Sequence, residues 1–187
     1  DKEPASQEGV SRGRIRVSDQ ASVVSLLQTK ATAGTIELHY VLTPEADVKL
    51  NSLHVSLGLP EGFLRGATYT IQGATKDVPA ERGETHLHAG DAVPSVRFAW
   101  PDGDWLEIEI LSKTPVLFQD SRQWGTSFDL RIGPQMSPAQ VVPADKPLEI
   151  ALRIKAKDGI GLEFDRPVTI MAGDDWVPLA VELDIEA

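Results

Sequence analysis

From residue 12 to the end, apolar side chains recur at every second position. In GTIELHYVL, Ile36, Leu38, Tyr40 and Leu42 fall on one face; in NSLHVSLGL, Leu53, Val55, Leu57 and Leu59 do the same. Successive side chains of a strand point to opposite sides, so a period of two predicts strands with one buried face. The pattern returns at Val96, Phe98 and Trp100, at Leu106, Ile108 and Ile110, and at Phe128, Leu130 and Ile132. It closes with Leu148, Ile150, Leu152 and Ile154, then Val177, Leu179, Val181, Leu183 and Ile185. Turn signals separate the runs: PEAD, LPEG, ERGE, PDGD, KDGIG and AGDD. PDGD, set between Trp100 and Trp105, is the clearest hairpin.

One segment, SVVSLLQTKA, has a helical flavour, and its Val-Val pair and the Thr-Ala-Gly that follows fit a strand equally. Helix content is therefore expected to be small. A dozen or so strands with one apolar face each must close on themselves or stack as two sheets, because a single sheet leaves that face wet. The expected fold is an all-β antiparallel sandwich of jelly-roll type. Residues 133–147, GPQMSPAQVVPADKP, hold the longest break in the pattern and read as a long surface loop or the edge of a subdomain. Residues 1–11 read as a flexible lead, and 12–187 as one sandwich domain, a length ordinary for one core.

Charge narrows the partners. The net charge of −10 repels nucleic acid and anionic membranes. No cysteine is present, so disulfides, thiolate metal sites and a cysteine nucleophile are excluded. The start, DKEPASQEG, has neither the basic nor the apolar part of a signal peptide, so an exported protein would already have lost its leader.

Candidate chemistry sits in a few places. On strand DWLEIEIL, Trp105, Glu107 and Glu109 face away from the core, the two carboxylates about 7 Å apart by strand geometry. The jelly-roll endoglucanase motif Glu-x-Asp-x-Glu is similar, but here Trp105 holds its first acidic place. A glycosidase also needs its carboxyls at roughly 5 Å, or at roughly 6.5 to 9.5 Å with room for water. Neighbouring carboxylates otherwise belong to any solvated strand face. His86 and His88 share a face and suit a metal only with a third ligand, while His39 and His54 read as solvated positions opposite the core. No Gly-x-Ser-x-Gly elbow or phosphate loop occurs. No cofactor is expected; Asp102, Asp104, Asp174 and Asp175 supply oxygens of the kind a structural calcium ion takes, and turn chemistry selects Asp at such positions as well.

The stretch FQDSRQWGTSFDLRIG places Asp120, Arg122 and Trp124 in a short polar gap between two strands. Trp100 shares parity with Val96 and Phe98 and is read as core, whereas Trp105 and Trp124 are read as at least partly exposed. An exposed indole stacks on the apolar face of a sugar while carboxylate, amide and guanidinium groups bond its hydroxyls. The competing expectation is a packing anchor, with Arg122 held by Asp120 and covering or flanking the indole.

Two strings, VLFQDSRQWG with SFDLRI at residues 116–132 and GDDWVPL at residues 173–179, resemble a β-sandwich module placed ahead of a catalytic (β/α)₈ barrel in large bacterial glycoside hydrolases. The resemblance implies a secreted or periplasmic piece of a longer polysaccharide-degrading enzyme, and the finish in mid-pattern at LAVELDIEA agrees. It implies a domain that is not itself an enzyme and transfers no catalytic residue. Its partners would be a polysaccharide or oligosaccharide and the adjacent catalytic domain of the same chain. The expected contact residues are Trp105, Glu107, Gln119, Asp120, Arg122 and Trp124. Two alternatives remain: a structural spacer without ligand, or a free-standing hydrolase or lyase using Glu107 and Glu109.

Overall fold

The computed structural model describes residues 7–17, 21–32, 35–157, 169–172 and 175–178. Its strands are β1 (Gln7–Arg16), β2 (Ser22–Thr32), β3 (Thr35–Pro44), β4 (Val48–Pro60), β5 (Thr68–Ile71), β6 (Ala74–Asp77), β7 (His86–Ala92) and β8 (Ser95–Ala99). They continue with β9 (Trp105–Ile110), β10 (Pro115–Asp120), β11 (Ser127–Ile132), β12 (Gln135–Val142), β13 (Leu148–Ala156), β14 (Thr169–Ala172) and β15 (Asp175–Pro178). A single helical turn, α1 (Glu61–Leu64), follows β4 at the expected turn LPEG. Among the described residues no helix is long and apolar enough to cross a membrane.

The strands form two antiparallel sheets. The larger has the order β1-β2-β3-β13-β9-β8-β5-β6; the smaller has β15-β14-β4-β11-β10-β7, with β12 also on β4. The chain passes from one sheet to the other between β3 and β4, β4 and β5, β6 and β7, β7 and β8, β9 and β10, β12 and β13, and β13 and β14. These crossings make a sandwich of two stacked layers, the fold class the apolar pattern predicts.

The buried rows match the predicted parity. Leu38, Tyr40 and Leu42 from β3, Val96 and Phe98 from β8, Leu106 and Ile108 from β9 and Leu152 and Ile154 from β13 line the larger sheet's inner face. Opposite them stand Val55 from β4, Val116 and Phe118 from β10 and Phe128, Leu130 and Ile132 from β11. Phe118 is the hub: its ring meets Tyr69 edge-on at 5.1 Å and Phe98 at 5.5 Å, and lies tilted to Phe128 at 6.0 Å. Edge-to-face rings align a positive rim with a negative face, which adds to the gain from burial. Trp100 is partly buried against this core, edge-on to Phe63 at 5.0 Å, and its indole N–H donates to the Phe63 carbonyl at 3.0 Å.

Several expectations are corrected. Strand β1 begins at Gln7 and pairs with β2 along its whole length, so residues 7–11 are strand and not a flexible lead. For SVVSLLQTKA, where strand and helix were both open, the outcome is strand β2, its Val23, Ser25 and Leu27 buried on alternate positions. The supposed loop 133–147 contains β12, which pairs with β4 through an irregular register between Gln135 and Gln140. The predicted strand residues Leu179 to Ile185, and most of the KDGIG and AGDD turns, lie outside the described residues.

The switch from β11 to β12 depends on Gly133. Its φ is +143°, and a Cβ there would sit 2.4 Å from the Leu53 carbonyl oxygen and 2.6 Å from the His54 Cα. Both are fixed atoms of central strand β4, so no side-chain rotation relieves the clash. Gly133→Ala should therefore lose about 2 kcal/mol or more in urea unfolding. Gly125→Ala, in open space within the β10–β11 loop, should change stability by less than about 0.5 kcal/mol.

Candidate functional site

The polar gap after β10 is a buried ionic staple with an exposed indole beside it. Asp120 ends β10 opposite Phe128 of β11, and two residues later Arg122 turns its side chain back inward, leaving it only 2% exposed. All five guanidinium N–H groups are engaged. Nε and Nη2 donate to the two Asp120 carboxylate oxygens at 2.9 and 2.7 Å. Nη1 donates to Glu61 at 3.0 Å and to the Ala80 carbonyl at 2.9 Å, and Nη2 also donates to the Glu81 carbonyl at 3.0 Å. The flat cation lies 4.6 Å from the Phe128 ring centroid. The fork geometry matches a carboxylate in two places at once, which is why Arg and not Lys fits here.

The sequence reading paired Arg122 with Asp120, and that pair is present; the ring beneath the guanidinium is Phe128 instead of Trp124. The hydrogen bond from Arg122 holds the Asp120 carboxyl below the ordinary carboxylate range, and the same bond raises the guanidinium in turn. No Arg122 donor is left over for a ligand. The staple joins the start of α1, the β6–β7 loop and the β10–β11 loop, helped by Glu61 N–H to the Thr126 carbonyl at 2.9 Å and Asp120 N–H to the Thr85 carbonyl at 2.8 Å.

Trp124 sits on top of this base. Its N–H closes a turn onto the Ser121 carbonyl at 2.9 Å, and the residue is 69% exposed. Gln123 beside it is exposed, its amide 3.4 Å from the Thr85 hydroxyl. Gln119, also expected at the site, points elsewhere: it is buried on the outer face of the smaller sheet, opposite Asp129.

Trp105 and Glu107 are placed on the outer face of the larger sheet, apart from Trp124. There each carboxylate has a cation. Arg97 lies 4.4 Å from the Trp105 ring centroid and 3.7 Å from Glu107. Glu109 receives Arg153 at 3.1 Å and also a bond from Lys155. The Lys155 bond, with help from Arg153, holds the Glu109 carboxyl below its ordinary value. A general acid needs the opposite shift, so Glu109 does not suit the proton-donor role of a glycosidase pair.

The remaining candidates separate by burial. His39 is half exposed, 3.4 Å from Glu149 and 3.3 Å from the Gln28 amide oxygen. His54, expected in solvent, is fully buried; this corrects the reading, because the second face of β4 is covered as well as the first. Burial, reinforced by the nearby Arg131 charge, lowers its pKa to about 4. Arg131, itself pulled down by burial, pairs with Asp129 at 3.6 Å, and the same carboxylate accepts from Ser121 at 2.7 Å. Nothing in a period of two marks this buried polar group, since its positions alternate like any solvated row. Among the described residues no three His, Asp or Glu side chains converge on a metal position. Asp102 accepts the Asp104 N–H at 3.1 Å and Asp104 pairs with Lys157 at 3.7 Å, both within the reach of the PDGD turn.

No protein-family model matches the chain, and neither does any curated protein in sequence. Among solved structures it is similar to a chain of Escherichia coli K12 whose assignment as an aldose 1-epimerase is itself provisional, with 10% identity and a TM-score of 0.46 over 79% of this chain and 68% of that one. A protein of Synechocystis sp. PCC 6803 is similar at 9% identity and a TM-score of 0.43, over 83% of this chain and 63% of that one. The chain thus spans less than two thirds of the second protein. The expectation that the isolated domain is not an enzyme is set aside beside a similar chain that itself bears a provisional enzyme name. Neither lends this chain a residue or a reaction.

Two measurements check the electrostatics. Asp120→Asn removes one partner of a buried pair and should cost about 3 to 5 kcal/mol at pH 7. Because the Asp120 pKa is depressed in the fold, its contribution is present above about pH 4 and fades as pH falls through the folded value, so the variant's deficit should shrink in acid. His54 works over a higher range: the unfolded chain binds a proton near pH 6.5 and the folded one only at about 4, so stability should fall from pH 7 toward pH 4, by on the order of 3 kcal/mol. Urea midpoints of wild type and His54→Gln at pH 7.5, 6 and 5 should show most of that slope gone in the variant.

Proposed function

We propose that the domain binds a polysaccharide or oligosaccharide as part of a secreted or periplasmic polysaccharide-degrading enzyme, beside a catalytic domain of the same chain. One observation carries the reading: an indole 69% exposed, on a loop whose base is pinned by every donor of a buried arginine. A ring carried on a backbone already fixed by a turn leaves only its own side-chain rotations to be ordered on stacking against a sugar, so more of the contact energy appears as affinity. Exposed Gln123, Arg82 and Glu84 lie on the same loops and offer both donors and acceptors to hydroxyls. The likeness of VLFQDSRQWG and GDDWVPL to sandwich modules of glycoside hydrolases supports the same setting. Arg122 and Asp120 enter this reading as the support of Trp124, not as contacts.

Affinity electrophoresis through soluble β-glucan, xylan, mannan and alginate should show retardation on at least one of them. Trp124→Ala should weaken it about tenfold while leaving the urea midpoint almost unchanged. Full retention of binding in Trp124→Ala refutes the assignment, and absence of retardation on every glycan leaves a spacer that docks Trp124 on a neighbouring domain.

A further inference from the structure

A depression separate from the Trp124 loop lies on the larger sheet. Strands β1, β2 and β3 form one end of the larger sheet, and their outward side chains fall in register: Glu8 opposite Lys30 opposite Glu37, and Val10 opposite Gln28 opposite His39. These six residues line an open depression of about 320 Å³, near the lower end of the range for small-molecule sites. None of them belongs to the staple under Trp124.

We propose that this depression binds a neutral sugar residue of the same glycan. The inference rests on the reading of the domain as a carbohydrate binder. Charge decides the class of ligand. Lys30 stands 3.8 Å from Glu8, and Arg153 neutralises Glu37 at 2.8 Å. Each of the two carboxylates in the depression thus has a cation beside it, and the signs alternate along the rim. An anionic uronate or sulfated sugar would face Glu8 and Glu37, and a cationic ligand would face Lys30 and Arg153. A neutral hydroxyl avoids both penalties, since it donates to a carboxylate and accepts from an ammonium at the same time. Gln28 adds a group of both kinds, bonded at 3.3 Å to the His39 ring that Glu149 holds from the other side at 3.4 Å. Val10, 68% exposed, supplies the apolar wall that a sugar ring's C–H face needs. The depression is also open at its end, because β1 is the edge of the sheet among the described residues, so a polymer can run past it.

Amide chemical shifts of the full chain would be followed during titration with neutral xylo-, manno- and cello-oligosaccharides, and in parallel with oligogalacturonate. At least one neutral series should move the amides of Gln28, Lys30, Glu37 and His39, with oligogalacturonate leaving them in place. Glu37→Gln, which keeps the shape and removes the charge, should weaken binding here about tenfold without altering the response of residues 121–126. His39→Ala provides a second variant if Glu37→Gln melts early. Neutral oligosaccharides that shift only residues 121–126 would overturn this subsite and leave the Trp124 reading standing. Preference for oligogalacturonate at β1–β3 would overturn the argument from charge balance. Binding at neither place would remove both proposals.

Discussion

A strand cannot bury one row of side chains without presenting the next row on its other side, and this alternation governs the molecule. Once Leu38, Tyr40, Phe98, Ile108 and Ile154 are committed to the interior of the larger sheet, their neighbours Glu37, His39, Arg97, Glu107, Glu109, Arg153 and Lys155 must share the opposite face. Strands about 4.8 Å apart bring such residues into lateral contact. Acidic and basic positions then fall opposite one another across β1, β2, β3, β13 and β9, and the carboxylates become partners of cations before they can become reagents. That compensation decides the character of the face: it suits ligands without charge.

The end of the sandwich obeys a different economy. A buried guanidinium is expensive to desolvate, and it is tolerated only where every donor is answered. Arg122 meets that condition with one carboxylate two residues away and with groups from α1 and the β6–β7 loop. The consequence is rigidity at a place where loops would otherwise move. The backbone that carries Trp124 inherits it, through the turn its N–H closes onto Ser121. An exposed tryptophan alone is unremarkable on a protein surface; one mounted on a fully satisfied buried ion pair is a presented ring.

The two proposed contact regions use complementary chemistry. The Trp124 loop offers an aromatic plane with few fixed polar groups, and the β1–β3 depression offers fixed polar groups with only Val10 as apolar wall. A polymer that reaches both gains from having its second contact tethered by its first. The net charge of −10 works in the same direction, because it opposes the approach of polyanionic chains.

Alternation along the chain determined the strands, their inner rows, the PDGD hairpin and the two-layer architecture, because each of these follows from local spacing and from the need to hide one apolar face. The pairing of Asp120 with Arg122 was readable for the same reason: the partners are two residues apart. Strand β1 and strand β12 were not, since neither carries a clean apolar row and both are held mainly by backbone pairing to a neighbour. Burial of His54 and Gln119 escaped the pattern because a polar row looks the same whether its face meets water or protein. Only tertiary structure decided that Arg122 reaches Glu61, Ala80 and Glu81, residues 61, 42 and 41 positions away, and that Trp105 and Trp124 stand in separate places. Spacing within a strand is a property of the chain; which strands become neighbours, and which second faces are covered, is a property of how the sheets are assembled.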